Sequence, residues 1–553
     1  MSLQRAMNLA GLLCLAAVGI SCGQVYRPVV IPCVGANPVP GCINTNPPTP
    51  ANFHTIFSLT ANDYYDPNQG IWNLSQGTAM QFDVSGDTTI GVTANTPATV
   101  SVNPTHAALN SALSRMFVTN AASVNTGAGD SVGSFSPENA FSTAISPVAV
   151  YSLPTAPPTL PAGSTPAAFQ YLPDFVAVTG GTSAFVANYG VDATATAPSG
   201  SVAVNTESIS VLNTSSNAVT NTVYLGANAH PVSLVETPDT TKLYAGTQGI
   251  ASVFSFNTVD MSQNTITNSS GVAFPGSTPV WMIGRPDSQK VYVVTQGNGG
   301  NPGQLFTIDV ASDTVTAAIA VGNGANYAMF DPKLDRIYVT NPATSTVYVF
   351  AGSVDVPQLL ATITIPAGVG CTGCTAPAPV SVAALPDGSR AYVASYQLLS
   401  ACTESDPANT TACMVYPQLT VIDATSNTIK TTLSPLPAPV APNTQEAVPE
   451  VGSCIASVPY SPGLVTLPGA SAPSVQSVRF RVAAAASADS TRVYVSMCDA
   501  QAVATINAAD NNVNGGGYPP DSLVTDLPTP TAGCVGACSP QPRQTPVLLL
   551  SGQ

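Results

Sequence analysis

Short runs of alternating apolar and polar residues recur along the chain. In the segment Arg336–Gly352, RIYVTNPATSTVYVFAG, the runs IYV and VYVF flank the polar sequence NPATS. Alternation with β-branched and aromatic side chains is typical of a strand that packs on at least one face, and the polar residues between the runs provide a turn. The segment therefore predicts a β-hairpin.

The first of these runs is repeated along the chain, each time around one aromatic residue. The closest copies are 46 and 48 residues apart, and the range of roughly 40 to 50 residues is that of propeller blades. Most copies follow an apolar segment that ends in a Pro-Asp-type turn, as in PVWMIGRPDSQ, and precede a second hairpin, as in QLFTIDVASDTVTAAIAVG. Each unit therefore predicts four strands, A to D. The seven aromatic residues are Phe117, Phe185, Tyr244, Tyr292, Tyr338, Tyr392 and Tyr494.

These units resemble the YVTN family of β-propeller repeats. Tyr338–Asn341 spells the motif, Pro386–Gly388 gives the Pro-Asp-Gly turn, and the sequence IDATSN begins at Ile422. The resemblance spans roughly residues 79 to 530, and the first two units have Phe in place of Tyr. It implies an all-β fold, a seven-bladed β-propeller of four-stranded antiparallel blades, with eight blades as the alternative. Residues 79–97 echo strands C and D of the fourth unit, so we expect them to close the ring beside Val493 and Ala502.

Composition supports an exported all-β protein. The chain has 43 Gly and 50 Pro, and only 8% of its residues are charged, which favours turns over helices. The net charge of −15, with 14 basic residues spread thinly, argues against nucleic-acid binding. No sequence motif indicates a metal site or a cofactor.

The N-terminus predicts export. An apolar stretch from Leu9 to Ile20 is too short to span a membrane and fits a signal peptide, residues 1–21. The sequence around Cys22 resembles the lipobox of bacterial lipoproteins, which implies lipidation of Cys22 and, with Gly23 in the next position, an outer-membrane anchor. A freely secreted protein is the alternative. Residues 22–52 then form a Pro-rich tether, 53–78 an N-terminal extension and 79–553 the propeller.

Twelve cysteines support an oxidising compartment. Cys14 leaves with the signal peptide and Cys22 takes the lipid, so ten remain. The CxxC at Cys371 also fits a redox pair or half a zinc site, but it lacks a βαβ context and a second CxxC. Proximity in sequence, and elimination for the last pair, predict five disulfides: Cys33–Cys42, Cys371–Cys374, Cys402–Cys413, Cys534–Cys538 and Cys454–Cys498.

Blade six contains two insertions, residues 397–417 and 434–473, which the predicted topology places on one face of the ring. Long loops on a rigid scaffold often carry function. The leading hypothesis is therefore a non-catalytic envelope lipoprotein that binds a protein or glycan through this face and meets the membrane only through its lipid. The candidate binding residues are Tyr416, Tyr460, Glu446 and Glu450.

A lactonase-like hydrolase is the alternative function. His230 precedes the first strand of a blade, where it can face the channel mouth, and Glu236 is the candidate acid that would orient it as a general base. A solvated loop histidine fits the same position. The sequence GDSVG at 129–133 formally matches GxSxG, but it lies between propeller strands, so it indicates a turn.

Overall fold

The computed structural model describes most of the chain from Thr55 to Gly552. The described residues are 55–66, 71–84, 87–89, 98–121, 130–136, 146–153, 165–166, 171–180, 182–190, 201–202, 206–265, 267–268, 274, 277–297, 300–352, 355–369, 371–399, 414–434, 436, 448–449, 454, 478–509, 518–531 and 543–552. The predicted signal peptide, Cys22 and the tether lie outside them. Among the described residues, no helix is long and apolar enough to cross a membrane.

The described strands form eight four-stranded antiparallel blades, seven of which are continuous in sequence. Blade 1 has β5 (Pro104–Leu109), β6 (Met116–Asn120), β7 (Ser131–Ser136) and β8 (Ser146–Ser152). Blade 2 has β10 (Pro173–Ala177), β11 (Ser183–Asn188), β13 (Ser208–Asn213) and β14 (Ala218–Tyr224). Blade 3 has β15 (Pro231–Glu236), β16 (Lys242–Thr247), β17 (Ser252–Asn257) and β18 (Gln263–Thr265). Blade 4 has β20 (Ser277–Gly284), β21 (Lys290–Gly297), β22 (Gln304–Asp309) and β23 (Thr314–Ala320).

The order of strands A to D, from the centre outwards, continues around the ring. Blade 5 has β24 (Tyr327–Asp331), β25 (Arg336–Asn341), β26 (Thr346–Ala351) and β27 (Gln358–Thr364), with a 3-10 helix at Pro342–Thr344. Blade 6 has β28 (Ala378–Ala384), β29 (Arg390–Leu398), β30 (Met414–Asp423) and β31 (Thr428–Leu433). Blade 7 has β33 (Val482–Ala486), β34 (Arg492–Met497), β35 (Ala502–Asn507) and β36 (Ser522–Pro528).

Blade 8 combines the two ends of the described chain. Its innermost strand is β37 (Thr545–Ser551), and its outer strands are β1 (Thr55–Asp66), β2 (Ile71–Asp83) and β3 (Thr88–Thr89). Five shorter strands make further pairings. Strand β4 (Ala98–Val102) pairs with β2, β19 (Thr267–Asn268) pairs with β23, and β32 (Val448–Pro449) pairs with β30. Strands β9 (Thr165–Pro166) and β12 (Ser201–Val202) pair with each other.

The ring therefore has eight blades, as in the alternative prediction from the sequence, and not seven. The predicted closure is also wrong, because β2, which contains residues 79–83, pairs with β1 of its own blade and not with the strands at Val493 and Ala502. Residues 55–78, assigned from sequence to an extension, form β1 and part of β2. Part of the 397–417 insertion is likewise strand, because β29 and β30 extend past the usual blade length.

The seven repeated aromatic residues lie in the B strands of blades 1 to 7 and are fully buried. A repeated basic residue, two positions earlier, ties each of six blades to the next. In blade 6, Arg390 Nη1 lies 2.8 Å from Asp521 Oδ1 of blade 7, and the Tyr392 hydroxyl donates to the same oxygen at 2.6 Å. Lys242 and Tyr244 of blade 3 hold Asp313 of blade 4 in the same way. The complete set is Arg115, Lys242, Lys290, Arg336, Arg390 and Arg492.

Candidate functional site

The two faces of the ring differ in the length of their connections. On the face here called the lower face, strands A and B are joined by short turns such as 237–241, 285–289 and 487–491. The B-to-C and D-to-A connections begin and end on the opposite, upper face. These include residues 189–207 in blade 2, 399–413 in blade 6 and 434–481 between blades 6 and 7. Long connections on a rigid ring make the upper face the candidate binding surface.

Arg479 lies across the centre of the ring on this face. It precedes β33 of blade 7, yet its Nη2 donates to the carbonyl oxygen of Val232 in blade 3 at 2.9 Å. Blades 3 and 7 are opposite each other in a ring of eight. The guanidinium also lies 4.0 Å from the Asp174 carboxylate, 5.6 Å from the Phe175 ring centroid and 5.2 Å from that of Trp281.

The residues that flank Arg479 fill the same central region. Phe480 packs edge-on against Trp281 and Tyr327, with ring centroids 5.5 and 5.4 Å apart. Fully buried Arg481 lies over the Tyr396 ring, and its Nε is 3.1 Å from the Asp499 carboxylate. We name residues 478–481 the plug segment, because Arg479 and Phe480 contact the innermost strands of blades 2 to 5. Sequence reasoning missed it, although two arginines in four residues stand out in a chain with 14 basic residues.

His106 is a buried neighbour of the plug segment. Its ring stacks on Phe175 with centroids 3.8 Å apart, and Nδ1 accepts a hydrogen bond from the Val176 N–H at 3.4 Å. Burial first, and the positive charge of Arg479 second, lower the pKa of His106 to about 3. The imidazole is therefore neutral at physiological pH, as an acceptor must be. Here it links the inner strands of blades 1 and 2.

The structure separates His230 from Glu236. His230 precedes β15 on the upper face and Glu236 ends the same strand on the lower face, so a six-residue extended path of roughly 20 Å lies between them. The proposed pair therefore does not form. The carboxylate near His230 is Glu207, whose Oε1 is 3.7 Å from Nδ1. That nitrogen also lies 3.0 Å from the carbonyl oxygen of Tyr189, whose ring stacks on the imidazole at 4.5 Å.

This geometry gives His230 a linking role. A carbonyl oxygen only accepts, so the short contact with Tyr189 requires a proton on Nδ1. Buried Glu207 accepts the Asn228 N–H at 2.9 Å in the same cluster. The cluster therefore ties blade 2 to the entry of blade 3 on the upper face.

Glu236 is buried at the lower face between blades 2 and 3. Its Oε2 accepts the Thr179 N–H at 2.6 Å, and burial raises its pKa to about 7 despite that hydrogen bond.

In the GxSxG match, Ser131 is the first residue of β7 and Asp130 accepts the N–H groups of Tyr171 and Leu172. Asp130 thus joins blade 1 to blade 2, and Ser131 sits on a strand, not on a strand-to-helix turn.

Of the candidate binding residues, Tyr416 is described. It lies in the extended part of β30, opposite Gln397, and is half-buried. Tyr460, Glu446 and Glu450 lie outside the described residues. In the part of the chain that the structure describes, no three His, Cys, Asp or Glu side chains are grouped to hold a metal ion.

Two of the five predicted disulfides are confirmed. Cys371 is bonded to Cys374 in the connection from blade 5 to blade 6, and Cys454 to Cys498 at the start of the B-to-C turn of blade 7. Cys454 and Cys498 are fully buried, and they pack with Val478 of the plug segment. The other predicted pairs, Cys33–Cys42, Cys402–Cys413 and Cys534–Cys538, lie outside the described residues.

No protein-family model matches the chain, and no match to a curated protein was found. Solved structures are similar in fold. A putative 6-phosphogluconolactonase from Bacteroides fragilis is 13% identical with a TM-score of 0.42, over 92% of this chain and 100% of that one. The periplasmic gluconolactonase PpgL from Pseudomonas aeruginosa is 14% identical with a TM-score of 0.41, over 90% and 99%. Apo AztD from Citrobacter koseri is 12% identical with a TM-score of 0.43, over 91% and 99%. Likeness at this level concerns the fold alone.

Proposed function

We propose that the protein is a non-catalytic, exported scaffold that binds a protein or glycan of the cell envelope through its upper face. The observation that carries the proposal is the distribution of chain between the two faces. Connections of 15 to 48 residues, such as 399–413 and 434–481, begin and end on the upper face, whereas the lower face bears short A-to-B turns and C-to-D connections of at most 14 residues. Disulfides in the described part of the chain support export. The lipid anchor at Cys22 is part of the same proposal and rests on the lipobox resemblance.

The plug segment supports binding over catalysis. Arg479 and Phe480 occupy the centre of the ring, where propellers with an open channel mouth would admit a small substrate. His230 is held by Tyr189 and Glu207 between two blades, away from Glu236. A lactonase-like activity remains the alternative function, since half-buried His230 and buried Glu207 form a His-carboxylate pair on the upper face.

Replacement of one upper connection tests the binding proposal. In the test variant, a Gly-Ser linker of equal length replaces residues 455–477, which keeps Cys454 bonded to Cys498. The matched control replaces residues 137–145, the C-to-D connection of blade 1 on the lower face. We expect the upper-face variant to lose envelope partners or glycans that the intact protein and the control both capture. Equal capture by all three proteins would refute the proposal.

Two further measurements test the lipid anchor and the alternative, lactonase-like function. Mass spectrometry of the mature N-terminus should find diacylated Cys22, and Cys22→Ser should release the protein from membranes. Incubation with sugar lactones should give no hydrolysis above background. Hydrolysis that is lost in both His230→Ala and Glu207→Gln would establish the alternative function.

A further inference from the structure

The outer edge of each blade is a strand D, whose unpaired backbone groups can accept another strand. Most of these edges carry a feature that discourages pairing. Strands β18 and β3 are short, β8 and β36 contain proline, and β31 presents the exposed Lys430. Strand β14 exposes small or polar side chains at Ala218, Thr220 and Asn221. Two edges differ from this pattern, those of blades 4 and 5.

The edge of blade 4 is covered by the chain itself. Strand β19 pairs in parallel with β23, with Thr267 opposite Thr314 and Asn268 opposite Val315. Val315 is only 8% exposed and shares an apolar cluster with Phe274, a few residues beyond β19. Strand addition at an outer edge is thus already used by this ring.

The edge of blade 5 has the same geometry with no added strand among the described residues. Gln358 and Leu359 of β27 pair with Ala351 and Phe350, just as Thr314 and Val315 pair with Asp309 and Ile308 in blade 4. In both strands the next residue is a bulge, Thr316 in blade 4 and Leu360 in blade 5.

The side chains of this edge are apolar and exposed. Leu359 is 53% exposed, Leu360 45% and nearby Val356 52%, whereas Val315 is covered. The strand QLLATIT contains no charge and no proline. At the bulge position that Leu360 occupies in blade 5, blade 6 has Lys430. A lysine is a usual protection of an exposed sheet edge against pairing.

We propose that β27 is a docking site for an extended, uncharged segment of a partner protein, which adds to blade 5 as a fifth strand parallel to β27. Main-chain hydrogen bonds supply affinity in such complexes, and a side-chain pocket supplies selectivity. Here Leu359 and Leu360 would pack against an apolar side chain of the added segment, in the way that the apolar cluster of blade 4 includes both Val315 and Phe274. A second copy is disfavoured as the occupant, because one seven-residue strand buries far less than the roughly 1,600 Å² that a stable dimer needs, whereas a short segment of a partner can bind transiently through a smaller area. The site lies on the rim and is independent of the upper-face proposal.

A peptide with the sequence of residues 265–276, TITNSSGVAFPG, is a suitable probe, because this segment spans β19 and Phe274 on the blade 4 edge. Fluorescence anisotropy of the labelled peptide with the full chain should show saturable binding. Leu360→Lys, which places the blade 6 residue at this position, should weaken binding about tenfold or more, since a charge blocks strand addition. Val259→Lys, at an exposed apolar residue of blade 3, is the matched control and should leave binding unchanged.

Thermal unfolding should show that both variants remain folded, since each replaced side chain is exposed. Three results would overturn the proposal. One is the absence of saturable binding to the unaltered protein. Another is equal binding by Leu360→Lys. The third is a concentration-dependent dimer that Leu360→Lys dissociates, which would assign the edge to a second copy.

Discussion

Arg492 and Asp87 are 405 residues apart in sequence, yet Arg492 Nε lies 3.0 Å from both carboxylate oxygens of Asp87. Both residues are buried where blade 7 meets blade 8. The Tyr494 hydroxyl donates to the same carboxylate at 3.2 Å. The ion pair therefore joins blade 7 to the N-terminal strands of blade 8, through the contact that other blades make between neighbours in sequence.

We expect Asp87→Ala to destabilise the ring by about 3 kcal/mol, because it leaves the buried guanidinium of Arg492 without its carboxylate. Chemical denaturation measures this loss. Asp260→Ala removes an exposed turn carboxylate and should change the free energy of unfolding by less than about 0.5 kcal/mol. A loss no larger for Asp87→Ala than for Asp260→Ala would show that this pair does not stabilise the ring.

Glu236 should make stability depend on pH. Its folded pKa of about 7 lies above the ordinary value of 4.5, so the folded state holds this proton more tightly than the unfolded state. Its contribution is therefore fully present below about pH 4.5, falls as the pH rises to about 7, and is constant above that. We expect Glu236→Gln to unfold at a higher temperature than the unaltered protein at pH 8, with no difference at pH 4.

Asp526 provides the companion measurement. It lies on β36, and burial raises its pKa to about 7 as well. Its ordinary pKa is 3.8, so its contribution to stability falls between about pH 3.8 and 7. Asp526→Asn should therefore flatten the stability profile over that range, and the double variant should show the flattest profile. Parallel profiles for the unaltered and doubly substituted proteins would contradict the assignment of this dependence to the two carboxyl groups.

The fold was predictable from sequence where its signal is local. Alternation and turn residues predict the hairpin of β25 and β26 because both strands and their turn lie within 16 residues. Blade 8 was missed because its inner strand, TPVLLLS, is an apolar run at the opposite end of the chain from its partners. No local pattern reports such a pairing.

The site was less predictable, for a related reason. Glu236 is close to His230 in sequence, but an extended strand places them on opposite faces. The acid that does approach His230, Glu207, comes from the preceding blade. Arg479 reaches the far side of the ring, so its partners depend on the number of blades, which the repeat spacing did not determine.

Arg479 should protect Trp281 from solvent. The chain has two tryptophans, so Trp72→Phe leaves Trp281 as the single reporter. In this background, Arg479→Ala should increase acrylamide quenching of Trp281 fluorescence, because the guanidinium over the ring is lost. It should also cost about 3 kcal/mol of stability, the sum of a desolvated cation-π contact and a charged hydrogen bond. Unchanged quenching would mean that Arg479 does not shield Trp281 from solvent.

The two observed disulfides should differ in their resistance to reduction. Cys371 and Cys374 are half-buried on either side of the exposed residues Thr372 and Gly373, whereas Cys454 and Cys498 are fully buried against Val478. Thiol exchange requires access of the attacking thiolate to a sulfur atom. Under native conditions, dithiothreitol followed by differential alkylation should therefore label Cys371 and Cys374 first. Cys454 and Cys498 should be labelled only after denaturant is added, and simultaneous labelling of all four would show that the upper face opens around Cys454 in the native protein.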